Sequence, residues 1–111
     1  MLRTFDELYR EELLRIFYQS GEKTDRSEAI RMEVLKVLAE TIEPSKKYDI
    51  LRAAYFQLIS EGSGFRDSAR TLLISKFAEK TNDLKLDLLK FARESDSKVK
   101  EHVARELVNL P

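Results

Sequence analysis

The sequence predicts an all-α protein: a short α-solenoid of three helix–turn–helix repeats, six helices in a single domain. Three observations carry this expectation. Glycine and proline, the residues that punctuate turns and strands, number only three and two in 111 residues. Apolar residues recur at threes and fours, as in Ile30, Val34, Leu38 and Ile42, the period of one buried helical face. The openings of the second, fourth and sixth helices repeat one pattern at nearly constant offset. Residues 1–111 read as one domain, with repeats over approximately 4–43, 45–80 and 83–110.

The helices follow from their boundary signals. Thr4 with Glu7 forms a capping box that starts a helix over Phe5–Tyr18, and Gly21 supplies a left-handed stop. Asp25 with Glu28 opens the second helix, and Pro44 marks its far boundary. Ser45 caps the third, which ends near Glu61. After the Gly62-Ser63-Gly64 turn, the fourth runs from Phe65 to about Lys80. Asn82-Asp83 starts the fifth. Ser95-Asp96-Ser97 interrupts it and starts the sixth, which reaches about Asn109.

The repeat is legible in three openings: Ile30-Arg31-Met32-Glu33-Val34, Phe65-Arg66-Asp67-Ser68-Ala69 and Val99-Lys100-Glu101-His102-Val103. From 30 to 65 and from 65 to 99 the offsets are 35 and 34 residues, and the match continues to Leu38, Leu73 and Leu107. A period in this range signals stacked helical hairpins, because one hairpin cannot bury its own apolar faces. Ile30, Phe65 and Val99 are therefore expected at equivalent buried sites, with Ala69 and Val103 buried beside them.

The pattern resembles HEAT repeats over roughly residues 5–110. In that family the second helix of each hairpin carries a Val-Arg-like pair, then a small apolar residue and Leu. Ile30-Arg31, Phe65-Arg66 and Val99-Lys100 hold those places. The family often sets an Asp six residues before the Arg, as a ladder between repeats. Here Asp25 precedes Arg31 by six, Glu94 precedes Lys100, and Ser60 stands before Arg66, so the ladder is incomplete. The repeats are short for the family and lack the common Pro of the first helix. Tetratricopeptide repeats share the period, but their Trp, Gly-Tyr and Pro landmarks have no counterparts here.

Composition narrows the function. Lys+Arg and Asp+Glu each number 20, so there is no net attraction for nucleic acid or anionic lipid. No Cys is present, which excludes disulfides and thiolate chemistry and fits a cytoplasmic location. The N-terminus has no apolar stretch of a signal peptide, and no run approaches the ~18 residues of a membrane span. No catalytic, cofactor or metal site is expected. His102 is the lone histidine, aligns with Glu33 and Ser68, and reads as solvent-facing. Asp83 and Asp87 complement a helix N-terminus, and Gly62-Ser63-Gly64 lacks the Lys-Ser/Thr end of a phosphate loop.

What remains is a non-enzymatic interaction module, a scaffold or adaptor, which is also what the HEAT resemblance implies. Its expected surface is the exposed rows of the second helices that line a concave groove: Glu33, Ser68 and His102; Lys36, Thr71 and Arg105; Glu40, Ser75 and Asn109. The basic trio Arg31, Arg66 and Lys100 is a further candidate for partner contact, although its first expected role is structural, reaching an inter-repeat carboxylate or a preceding helix end. The mixed charge suits a protein partner, with charges setting specificity. The alternative is nucleic-acid backbone binding through the basic residues of the same helices. Both ends of the stack are expected to be unsealed. Phe5, Tyr9, Phe17 and Tyr18 on the first helix and Val108 and Leu110 near the last are the candidate oligomer interface. A homodimer and a hetero-partner are both open there.

Overall fold

The computed structural model describes residues 5–19, 24–41 and 44–111. Six helices account for most of them: α1 Phe5–Tyr18, α2 Asp25–Thr41, α3 Pro44–Glu61, α4 Arg66–Lys76, α5 Thr81–Arg93 and α6 Ser97–Asn109. No strand occurs among the described residues. The expected caps at Thr4 and Gly21 lie outside the described residues. No described helix is long and apolar enough to cross a membrane.

The helix ends show where local chemistry differs from expectation. The box that opens α2 is Thr24 with Ser27. The Ser27 N–H donates to Thr24 Oγ1 (3.1 Å), and the Thr24 N–H donates to Ser27 Oγ (2.9 Å). Glu28 is thereby released for contacts across the fold. α3 begins at Pro44, one residue ahead of Ser45, where proline's missing N–H costs nothing. α3 ends in a Schellman turn. Gly62 takes φ +70°, its N–H donates to Ile59 O, and the Ser63 N–H donates to Leu58 O. α4 is shorter than the sequence suggests. It stops at Lys76, and a single 3-10 turn over Ala78–Lys80 leads directly into α5. Asp96 caps α6 by accepting from the Val99 N–H at 2.9 Å, within the expected interruption.

Packing runs hairpin by hairpin: α1 with α2, α3 with α4, α5 with α6. α3 is the hub, packed also on α2, α5 and α6, while α2 packs on α4. The reason lies in its sequence. Leu51, Ala54, Tyr55, Leu58 and Ile59 fall on one face and are almost entirely solvent-free, and Ala54 lets neighbours approach closely. They meet Leu35 and Leu38 of α2, Ala69 and Leu73 of α4, Leu84 and Leu88 of α5, and Val99 and Val103 of α6 in one cluster. Ala69 and Val103 are buried as expected. Ile30 is not: it is 44% exposed, and Phe65 lies just outside α4 and is half-buried. In α2 the buried residues are Ser27/Glu28, Arg31/Met32, Val34/Leu35 and Leu38/Ala39, so Val34 and Leu38 are buried as expected and Arg31, not Ile30, faces inward between them. Arg31 faces inward because it finds partners inside the fold.

Four polar contacts join residues 35 or 36 positions apart: Lys76 with Glu40, Arg52 with Asp87 and Arg70 with Glu106 between helices, and Ser63, in the turn after α3, with Glu28 of α2. Each links one hairpin to the next.

Tyr48 and Tyr55, which donate to the Asp87 and Glu106 carboxylates of two of these contacts, make stability sensitive to alkali. Burial, then the hydrogen bond it donates to the Glu106 carboxylate, pushes the Tyr55 hydroxyl far above its ordinary range. Burial and Asp87 push Tyr48 the same way. A raised folded-state value favours the neutral form. Its stabilisation is fully present below the unfolded tyrosine value of about 10 and is lost as pH climbs above it. Denaturant midpoints should therefore hold across roughly pH 7–9 and then fall. Tyr55→Phe should flatten that fall.

Candidate functional site

α4 carries Ser68, Thr71 and Ser75 at steps of three and four, so one face of the helix is built of short side chains. Where that face meets α2 a trough forms, about 390 Å³ in volume. Met32 and Leu72 supply apolar surface, with Lys36 on the α2 side and Asp67, Ser68, Thr71 and Ser75 on the α4 side. The hydroxyl protons are occupied locally: Thr71 Oγ1 donates to Asp67 O and Ser75 Oγ to Leu72 O, each at 2.9 Å. The hydroxyl oxygens retain acceptor capacity. Lys36 reaches Glu33 at 3.2 Å in an exposed pair, a contact weak enough to exchange for another. Asp67 pairs with Arg70 at 2.9 Å. Lys76 meets Glu40 at 2.8 Å and ties α4 to α2 a turn further along. The trough thus offers one cation, one anion, hydroxyl oxygens and an apolar centre with a flexible methionine.

Four of the expected groove residues, Lys36, Ser68, Thr71 and Ser75, line this trough; Glu33 stands beside it, paired to Lys36. Arg31 does not reach the surface. It is 3% exposed, with its guanidinium bound to Phe17 O, Glu28 and Glu61. The expected Asp25–Arg31 rung is replaced by this set. Arg66 is half-buried, and its Nη1 lacks a hydrogen-bond partner. Lys100 is exposed on α6, and Arg105 pairs with Glu101 at 3.2 Å. His102 is half-buried rather than solvent-facing, packed near Gly62 in a pocket of about 230 Å³. Burial and then Arg66 hold its imidazole below the ordinary histidine range. The α6 residues therefore do not join Lys36 and Thr71 in one trough.

Of the expected interface residues, Phe5, Tyr9, Tyr18 and Val108 are exposed, Phe5 at 77% and Val108 at 84%. Phe17 and Leu110 are buried in the core. Asp83 and Asp87 separate in role: Asp87 accepts from Arg52 (2.8 Å) and Tyr48 (3.4 Å), bridging α5 to α3.

Sequence reasoning passed over a buried charge cluster. Glu106 is 2% exposed and accepts from Tyr55 and from Arg70, both at 2.7 Å. A signal existed: Val99, Val103, Glu106 and Leu110 fall at helical spacing, so the carboxylate sits on the apolar stripe of α6. Among the described residues, no group of three or more His, Asp or Glu is placed to hold a metal ion. No family model matches the chain, and neither a curated protein nor a solved structure is significantly similar to it.

Proposed function

We propose that this chain is a non-enzymatic interaction module, a HEAT-like stack of three helical hairpins that holds a protein segment in the α2–α4 trough. The observation that carries the reading is the trough itself. Its apolar centre of Met32 and Leu72 between Lys36 and Asp67 suits a peptide bearing an apolar anchor and both signs of charge. The 35- and 36-residue register of the inter-hairpin contacts supports the stacked-hairpin architecture. Lack of cysteine fits a reducing compartment, so the module is taken as cytoplasmic.

Nucleic-acid binding is disfavoured by where the basic residues go. Arg31 is buried, Arg70 is engaged by Asp67 and the buried Glu106, and Lys36 on α2 and Arg105 on α6 do not share one trough. A phosphate-tracking surface needs these cations together and unneutralised.

A photo-crosslinking residue at Ser68 or Thr71, introduced in host cells, tests the reading. The expected product is a crosslinked protein, absent when the probe sits at exposed Arg93 on α5 and depleted by Lys36→Glu. That substitution should change stability by no more than about 0.5 kcal/mol, because the side chain is exposed. Crosslinks to nucleic acid, or none above the Arg93 control, would overturn it.

A further inference from the structure

α1 and α2 leave a second concavity on the outer face of the first hairpin. It measures about 360 Å³ and is lined by apolar atoms alone. Leu13 and Ile16 of α1 and Ile30 and Val34 of α2 form its walls, and the stems of Arg26 and Glu33 complete them. Ile16 and Ile30 are both exposed. A valine–isoleucine–leucine groove with no polar lining has little reason to face water.

The charges beside it have an order that selects the occupant. On α2, Arg26, Ala29, Ile30 and Glu33 are all exposed, and their spacing sets them on one ridge. A two-fold axis midway between Ala29 and Ile30 turns this ridge onto itself in antiparallel fashion. It sets Arg26 of one copy against Glu33 of the other, twice, and Ala29 of each copy against Ile30 of its mate. The alanine's small side chain permits close helix approach, so each Ile30 reaches the groove of the facing copy. An isologous interface requires this arrangement, in which residue i meets j and j meets i. The opposite end of the molecule also exposes apolar residues, Leu86, Leu89 and Val108. There Leu86 lies among Asp83, Asp87 and Lys90 rather than beside an apolar groove.

The geometry points to a second copy of this chain as the occupant: a two-fold homodimer closed by the α2 ridge, with Ile30 as the knob and reciprocal Arg26–Glu33 pairs flanking it. The surface lies on a different face of α2 from Met32; Glu33, paired to Lys36 beside the trough, is shared by both surfaces, and Ile30→Asp, which touches the dimer face alone, separates them.

Sedimentation of the full chain across roughly 1–200 μM tests it. The expected mass is twice the 13.0 kDa chain, with Ile30→Asp monomeric at unchanged helicity. Arg26→Glu and Glu33→Arg should each weaken association about tenfold or more, since symmetry turns two attractions into two repulsions. The double variant, Arg26→Glu with Glu33→Arg, should recover association to within about threefold of the parent. A monomer at every concentration would overturn the inference. So would a dimer that survives Ile30→Asp but is lost on Leu89→Asp, or single charge reversals that the double variant does not rescue.

Discussion

Replacing Glu106 by alanine is expected to destabilise the domain by about 3–5 kcal/mol, a drop of roughly 15–25 °C in melting temperature. The carboxylate is 2% exposed on the buried stripe of α6 and accepts from the Tyr55 hydroxyl and Arg70 Nη1, both at 2.7 Å. Truncation leaves a solvent-free phenol without its acceptor and a largely buried guanidinium with only Asp67, whose own side chain is exposed. Two further variants separate the cost of orphaned groups from the net worth of the cluster. Glu106→Gln keeps the single oxygen that accepts from both donors but loses the charge that answers Arg70, and should cost less than alanine. The triple change Glu106→Leu, Arg70→Met, Tyr55→Phe removes every member together, and is expected to recover most of the loss, because an apolar replacement leaves nothing unpaired. Equilibrium urea unfolding reads all three. An alanine variant that unfolds with the parent would show that water reaches Tyr55 and Arg70 without cost.

The same cluster shows what could be read from the sequence. The all-α class and the existence of six helices follow from spacing and from capping residues, and Ala69, Leu73 and Val103 are buried where periodicity sets them. The rule behind those expectations holds that apolar residues mark the buried stripe. It fails where a charged residue lies on that stripe with partners supplied from distant segments. Arg31 is such a case: its acceptors come from α1, α2 and α3, and their convergence is a tertiary fact. Its burial turns Ile30 outward, although Ile30 matches Val99 in the aligned openings. Glu106 is the milder failure, since its position between Val103 and Leu110 marks it in sequence as anomalous.

The candidate site was half legible for a related reason. Lys36 and Thr71 were expected to share a row, and they line one trough with Ser68 and Ser75. The rows were expected to extend into α6, from Lys36 and Thr71 to Arg105 and from Glu33 and Ser68 to His102. α4 and α6 are instead bridged by the long side chains of Arg70 and Glu106, and α6 packs mainly on α3 and α5. A constant offset in sequence sets which residues are equivalent. It does not set the distance between neighbouring helices, which here depends on what is buried between them.

The second large effect is expected at Arg31. Its Nε donates to Phe17 O at 3.0 Å, its two terminal nitrogens grip Glu61 at 2.7 and 2.9 Å, and Nη1 also meets Glu28 at 3.0 Å. The guanidinium lies 4.4 Å from the centre of the Phe17 ring. One side chain therefore joins the end of α1, the first turn of α2 and the last turn of α3. Glu28 carries the link on to Ser63, whose Oγ also accepts from the Phe65 N–H ahead of α4. Arg31→Ala removes the fork and takes the Arg31 cation from the partly buried Glu28 and Glu61, a loss of about 3–5 kcal/mol. Arg31→Lys retains the charge but not the planar, bidentate geometry, and should recover no more than about half. The effect has a location as well as a size. Phe17 is the one buried α1 residue among those described, and Arg31 holds it by both its ring and its carbonyl. Hydrogen exchange in the alanine variant should therefore speed up first along α1, while the Leu58, Leu88 and Val103 amides of α3, α5 and α6 keep near-parental protection. Uniform loss of protection across all six helices would mean that α1 is held by the rest of the core and that Arg31 does not fasten it.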